Sequence, residues 1–548
     1  MISRKSKYSL IIVFSAVVTS IVFVPLNFDA LIIPKMAILF CMALYILPRT
    51  ILGYRNILTN KTKILFSTLI TLIIFQFILM LIFSGSILEQ QVFGRTGRGL
   101  GFLTHVSLLI FLVAAATFID RINFNLMIKG FFVSSLISGI YAILQKNNID
   151  LFDWASKTNG VIGTLGNPNH QGVFAAMALV PSVVLLMNYR LKKFLVPISI
   201  IFSLYSIYIA QATQGYLSAA ASVVAFSLIF LWFKNRIIFF AGIVFSSILS
   251  LMVILGTLNH GPFAEFLYKI SVQSRGDFWR SAIGTANAHP LVGGGFDSFG
   301  DNYLIYRDVI AANHSFAEMT DNAHNYILEY AATGGYPLML YHVLMIFLVI
   351  YIFISQMKKF EKFDSSFTAI FVAWLAFQVH TVVSPGNIGL MIWNSLFSGA
   401  IIGLNLNKAG TNFSMQPKQP AINWKIDMLS YSLLTVGVIV IAPLFNTDRL
   451  LLKGLSSTNA TLVIEQVNKY PRSSVKFNLV GQTFVRSNLL AETLEVGRSA
   501  TKFNPNAASG WALILINPLA TIEERKIAKA QILRLDPLNK EVQQFKFD

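Results

Sequence analysis

The sequence predicts an all-α polytopic membrane protein: about 12–13 transmembrane helices, one large extracytoplasmic loop with short helices, and a C-terminal α-helical repeat tail. Two observations carry this expectation. Hydrophobic residues make up 55% of the 548 residues and charged ones only 12%, with 46 phenylalanines, a balance that excludes an ordinary soluble protein. Apolar runs of about 20 residues, enough at ~1.5 Å per residue to cross ~30 Å of hydrocarbon, recur along most of the chain. Amides in hydrocarbon have no water to bond, so these runs are expected as helices.

Thirteen runs are expected, at about 9–25, 30–48, 64–84, 103–119, 125–145, 170–187, 194–210, 216–233, 237–256, 335–355, 366–383, 388–405 and 428–445. Alternate connections between them carry 20 Lys/Arg in one set and 8 in the other. The basic set is read as cytoplasmic. That places the N-terminus inside, and the loop at 257–329 and the tail outside, as expected of a multi-pass protein of a bacterial cytoplasmic (inner) membrane. Arg4, Lys5 and Lys7 before the first run resemble the start of a signal peptide. A second run follows at once with no clear cleavage site, so an uncleaved first helix is expected. Cys41 is the one cysteine, which excludes internal disulfides and cysteine metal sites. The net charge of +18 follows from the loop bias and from a tail with 14 Lys/Arg against 9 Asp/Glu. It suits anionic lipid head groups or lipid diphosphates and implies no nucleic-acid partner.

Four parts follow: an N-terminal bundle (1–256), the outer loop (257–329), further membrane helices (330–445) and the tail (446–548). In the tail Pro471, Pro505 and Pro537 recur at spacings of 34 and 32, with helical apolar spacing over Leu479–Lys502 and Ala512–Leu535. That is the tetratricopeptide period, and such repeats imply a possible protein partner; an irregular helical tail is the plainer reading.

The loop concentrates the polar chemistry, holding four of the eight histidines and eight of the 25 acidic residues. Ser274 with Asp277 has the form of a helix N-cap, predicting a helix from Arg275 to about Ala288 that stops at Pro290. Arg275 and Trp279 then share a face. Gly293–Gly295 allow a tight reversal. The segment 321–330 reads as the start of a helix, with Asp321 in its first turn and His324 just inside.

Several side chains in this pattern can carry chemistry. His324, beside Asp321 and Asn325, reads as a base for a hydroxyl or as a histidine merely bonded at a helix start. Arg275 and Arg280 have the guanidinium fork that suits diphosphates, or form a salt-bridged helix face. Arg95 and Arg98 are outer-side cations where the orientation rule expects few. Lys35, after Pro34, either snorkels or reaches the same anion, snorkelling being the simpler reading. Asn169 is expected to cap the helix that follows it, with His170 alongside. Asp297, Asp301 and Asp308 are scattered acids, and no metal or cofactor is assigned. No nucleotide-binding loop, zinc-protease or serine-hydrolase motif occurs in its required setting.

The order Arg275…Trp279…Pro290…Gly293-Gly294-Gly295…His324-Asn325…Gly334-Gly335 in a large outer loop resembles the O-antigen ligase superfamily. The lines Gly163–Asn169, Gly94…Arg98-Gly99 and Asp29…Pro34-Lys35 are also similar to the family, so the likeness spans most of 25–405. The resemblance implies a membrane glycosyltransferase with no metal or nucleotide sugar. It would move a glycan from an undecaprenyl-diphosphate carrier to an acceptor hydroxyl on lipid, glycan or protein. It makes His324 the activator of the acceptor and Arg275 the diphosphate ligand. Many members carry a further arginine in a Ser-Arg-Gly line, where this chain has Gln214 in Ala212–Tyr216. Gln214 supplies hydrogen bonds without charge, and Arg95 or Arg98 is placed to compensate. Ligase, polymerase and protein O-oligosaccharyltransferase differ only in acceptor and stay open. A transporter or flippase of lipid-linked glycans is the rival class, disfavoured by spans nearly free of charge.

Overall fold

The computed structural model describes residues 4–150, 152, 154, 160–268, 270–314, 319–406 and 424–547. A helix stands at each of the thirteen expected positions: α1 (Arg4–Ile21), α2 (Ile32–Arg55), α3 (Lys61–Phe83), α4 (Phe102–Phe118), α5 (Phe124–Lys146), α6 (Pro168–Leu186), α7 (Lys192–Ala210), α8 (Thr213–Lys234), α9 (Arg236–Thr257), α10 (Tyr326–Met357), α11 (Ser365–Thr381), α12 (Ile388–Leu406) and α13 (Trp424–Ser456). Ten are long and apolar enough to cross a membrane, while α1 and α4 hold shorter apolar stretches. Four of the loop charges counted above, Lys157, Lys269, Lys408 and Lys418, fall outside the described residues.

Burial sorts these helices. Within α9 only Gly256 is buried, so its Ile, Phe and Leu side chains face outward as a lipid-exposed helix would. Helix α6 is buried on nearly every side, and α12 on most. The close approach of α12 to α4 rests on two glycines one turn apart. A Cβ on Gly399 would stand 2.3 Å from the Leu112 carbonyl oxygen, and one on Gly403 2.5 Å from that of Ala116. Small residues at this spacing let backbones pack directly where no water drives helices together.

Helix α10 is broken inside its apolar length. Gly335 adopts φ 71°, ψ 177°, which frees backbone groups at membrane depth. Each finds a partner. The Ala332 and Thr333 carbonyls accept from Gly294 N (2.8 Å) and Gly295 N (2.9 Å), and Tyr336 N donates to the Pro290 carbonyl (2.9 Å). Gln76 of α3 donates through Nε2 to the carbonyls of Gly334 (2.8 Å) and Leu291 (2.6 Å). The glycine triplet is thus a β-like splint on the break, which is how a bilayer tolerates irregular backbone.

The tail helices Ala460–Asn468, Ser474–Arg486, Leu490–Phe503, Ala508–Leu515, Ile522–Leu535 and Lys540–Gln544 stack in sequence. Each stretch of helical spacing in the tail contains a turn between two helices, at Ser487–Leu489 and around Asn517. The tail grips the bundle end at three places. Arg307 of the outer loop holds Asp536 with two 2.8 Å bonds, both side chains buried. Arg472 pairs with Glu89 at 2.8 Å, and Thr96 bonds Ser473 at 2.8 Å. Lys476 pairs with Asp448 (2.9 Å), whose other oxygen accepts from Asp29 N (2.9 Å).

Candidate active site

The loop helix runs over Ile270–Ala288, starting five residues further upstream than expected. Nothing in Ile270–Gln273 breaks a helix, so Ser274 lies inside it and is not its cap. The Asp277 carboxylate instead accepts from Arg280 Nη2 (2.5 Å) and bonds His314 Nδ1 (3.0 Å). Ahead of α6 the cap is Asn167, whose Oδ1 accepts from Asn169 N at 2.8 Å, not Asn169. Pro168 takes the first helical position, where its missing N–H costs nothing, so the cap falls one residue before it.

His324 also departs from expectation. Asn325 is the cap of α10, accepting from Ile327 N (3.1 Å) and Leu328 N (3.0 Å), which leaves Asp321 and His324 outside the helix. His324 has φ 49°, in the left-handed region that few non-glycine residues adopt. Its amide donates to Asn322 Oδ1 at 2.9 Å, and its imidazole stacks on Phe278, centroids 5.5 Å apart and planes at 27°. The side chain is thereby aimed by a turn and a ring rather than by a helix.

The turn is held from below by Arg98. This buried guanidinium donates to the Asp321 carbonyl, pairs with Glu329 (2.9 Å) and lies 3.1 Å from Asp297. Burial works against its charge, yet Asp297, Glu329 and Asp321 hold its pKa above the ordinary arginine value. Glu329 also accepts from Ala323 N at 2.6 Å, and Asp297 from Arg95 N at 2.7 Å. Replacing Arg98 by Ala strands Asp297 and Glu329 without a cation. Removing one partner of a buried pair costs about 3–5 kcal/mol. The expected result is a large loss of monodisperse protein in detergent. Wild-type yield and thermal stability would show that the hub carries no structural weight.

The cations of the outer side therefore divide. Arg98 is neutralised as described, Arg95 pairs with Asp301 (3.0 Å), and Arg280 lies between Asp277 and Asp308, each at 2.5 Å. Lys35 does not snorkel: it is fully buried and its ammonium donates to the Val22 carbonyl. Its ring of supports, Asp29 and the 22–31 turn, folds it inward. Gln214 is buried too, its Oε1 accepting from Ser384 Oγ at 2.6 Å. Arg275 differs from all of these. Among the described residues no carboxylate pairs with it, and partial burial alone pulls its pKa down. On the same face Trp279 has a buried indole N–H without a partner.

Arg275 and His324 act on each other electrostatically. Burial first, and then the Arg275 charge, push the His324 pKa down to about 4, against a smaller opposing pull from Asp321. Burial works against Asp321, but Arg98 and Asn322 hold its carboxyl below the usual range. The result is a neutral imidazole beside a guanidinium that no carboxylate of the described residues compensates.

Residues 198–343, from α7 through the outer loop and past the break in α10, match the family model described as O-antigen ligase. The chain carries an O-antigen ligase domain. No curated protein matches the chain. The matched region and the apolar helices support a multi-pass membrane protein of glycan transfer, a glycosyltransferase-like enzyme. The matched region includes Gln214, Arg275, Trp279, Arg280, Gly293, Gly295, Asp321, His324 and Asn325, whereas Lys35, Arg95, Arg98 and Asn169 precede it.

Sequence reasoning did not find Asp297 and Glu329 as partners of Arg98, nor His380. The partners lie 199 and 231 residues from Arg98 along the chain, and no local pattern marks them. His380 reads in sequence as one more residue of an apolar span.

Proposed function

We propose that the O-antigen ligase domain transfers a glycan from an undecaprenyl-diphosphate carrier to an acceptor hydroxyl at the outer face of the membrane. One observation carries this reading: a guanidinium, Arg275, that no carboxylate of the described residues pairs with, beside a histidine that burial and that same charge keep neutral. An anion is what Arg275 lacks, and a diphosphate on a membrane lipid brings one to the bilayer surface. Arg275 stabilises the negative charge that grows on the leaving diphosphate as the sugar–oxygen bond breaks. His324 takes the proton of the acceptor hydroxyl as that oxygen bonds the anomeric carbon. Attack opposite the leaving group inverts the anomeric centre. Arg95, Arg98 and Arg280 act at one remove, by fixing the loops that carry the two residues. The tail is read as tetratricopeptide-like and outside the membrane, with the loop.

The test is glycan transfer by purified protein in detergent from a defined lipid-linked donor to lipid, glycan and protein acceptors. Product stereochemistry and acceptor class separate ligase, polymerase and protein transferase, and absence of transfer with every pair would refute the reading in favour of transport.

The pH profile gives an independent check. Acidity removes activity as His324 gains its proton, and kcat/KM reports the free enzyme. Its acid limb is expected near pH 4, well below the ~6.5 of an ordinary histidine. Bound diphosphate offsets the Arg275 charge, so the acid limb of kcat is expected at higher pH than that of kcat/KM. A kcat/KM limb at 6.5 would contradict the low pKa of the neutral base.

A further inference from the structure

Two further histidines lie under the site, on elements that the proposed chemistry does not use. His170 is in the first turn of α6 and His380 in the last turn of α11; their rings meet edge to face, centroids 5.5 Å apart at 83°. His380 is 1% exposed and His170 7%. Among the described residues neither ring nitrogen of His380 has a hydrogen-bond partner, nor has Nδ1 of His170. A buried imidazole is both donor and acceptor, and leaving its nitrogens unmatched is costly unless something outside the chain completes them.

The surroundings say what kind of group that is. His170 and Arg275 act electrostatically on His380, and His324 and Arg98 on His170, whose ring also bonds the Pro385 carbonyl. No carboxylate of the described residues is among them, although the outer loop is rich in acids. The nearby amide and hydroxyl are already spent on each other, since Ser384 donates to Gln214, whose Nε2 turns to the Val383 carbonyl (3.4 Å). The turn before α6 is tied to the 382–387 segment by Asn387 Nδ2 donating to the Leu165 carbonyl (3.2 Å). The two histidines are therefore held in place while, among the described residues, both nitrogens of His380 and Nδ1 of His170 remain open. The N-terminal ends of α6 and α8, bearing His170 and Gln214, also meet here, where a Cβ on Gly215 would stand 3.0 Å from the Gly172 backbone, and helix N-termini favour negative charge.

We propose that His380, backed by His170, forms the inner half of a phosphoryl-binding seat whose outer half is Arg275. The ring N–H of His380 donates to an oxygen of the diphosphate that Arg275 holds from the loop side, while His170, its own ring N–H turned to the Pro385 carbonyl, packs edge to face on His380 and orients it. The inference rests on the reading of the site as one for a lipid diphosphate and names one more of its ligands. In this arrangement the membrane helices, not only the loop, fix the depth at which the diphosphate sits.

The test compares full-length wild type with His380→Leu and His380→Gln in detergent, using thermal stabilisation by inorganic pyrophosphate, by undecaprenyl diphosphate and by phosphatidylglycerol. The two diphosphates are expected to stabilise wild type and to lose that effect in His380→Leu. The ligand-free Leu variant should melt at or above the wild-type temperature, because an unmatched polar ring has been removed. A merely structural histidine would instead lower it. His380→Gln, which keeps a donor, should retain part of the ligand shift. Loss of a hydrogen bond to a charged group is expected to raise the donor KM about tenfold, with a smaller change in kcat. Undiminished diphosphate shifts and donor KM in both variants would overturn the proposal and assign the open nitrogens to water. Should the Leu variant not fold, an undiminished shift in the Gln variant with a lowered ligand-free melting point overturns it equally. Stabilisation by phosphatidylglycerol alone, lost in the variants, would assign the seat to a membrane lipid and overturn the donor role. If His324→Ala and Arg275→Ala lose transfer while the His380 variants behave as wild type, only this inference fails; if all of them transfer normally, the underlying reading fails too.

Discussion

Replacing His324 by Ala is expected to lower glycan transfer by a factor on the order of 10²–10⁴, the span typical of losing a positioned general base. The protein should still fold. His324 makes one backbone bond to Asn322 and one ring contact with Phe278, and alanine keeps the first. Alanine also tolerates the left-handed backbone no worse than a branched residue would, so a modest fall in melting temperature is the expected cost. The measurement is transfer rate at saturating donor and acceptor, with monodispersity in detergent as the folding control. His324→Gln serves as the second variant, since it can bond the acceptor hydroxyl but cannot take its proton. Rates within threefold of wild type in both would remove the imidazole from the chemistry.

Arg275→Ala is expected to act differently. Losing charge stabilisation on a leaving group typically costs on the order of 10²–10³ in rate. Here donor binding should weaken as well, because Arg275 is the outer cation left without a carboxylate. Arg275→Lys keeps a charge but not the planar fork, so it should recover donor binding better than rate. A further signature follows from the electrostatic link to His324. Arg275 contributes to the depression of the His324 pKa, so its loss should move the acid limb of kcat/KM upward from about 4 toward the ordinary histidine value. Transfer unchanged in donor dependence and in pH profile would disconnect Arg275 from the site.

Much of the fold was legible because membrane helices are specified locally: twenty apolar residues suffice, and each of the thirteen runs became a helix. The boundaries slipped where a cap competed with a neighbouring residue. Pro168 took the first helical position and passed the cap to Asn167, and the unbroken Ile270–Gln273 carried the loop helix past Ser274. The roles of the arginines were the least legible part. Arg95, Arg98, Arg280 and Arg275 look alike in sequence, and what separates them is the presence or absence of a carboxylate brought from far along the chain. Asp297 and Glu329 reach Arg98, Asp301 reaches Arg95, Asp308 reaches Arg280, and none reaches Arg275 among the described residues. Likewise, the open nitrogens of His380 are a property of packing, which no spacing reveals. The glycine triplet was visible as a turn, but its function as a splint depends on a break in α10 some forty residues away.

The grip of Asp536 on Arg307 has a bearing on biogenesis. These partners are separated by 229 residues, with the four helices α10 to α13 between them. At 5–20 residues per second a ribosome needs on the order of 10–50 s to travel that distance. Throughout that interval the nascent outer loop carries an arginine whose final counter-ion has not yet been synthesised. Docking of the 257–329 loop on the tail thus waits until Asp536 has been made, and a chain halted before it would hold its helices with this loop unfastened.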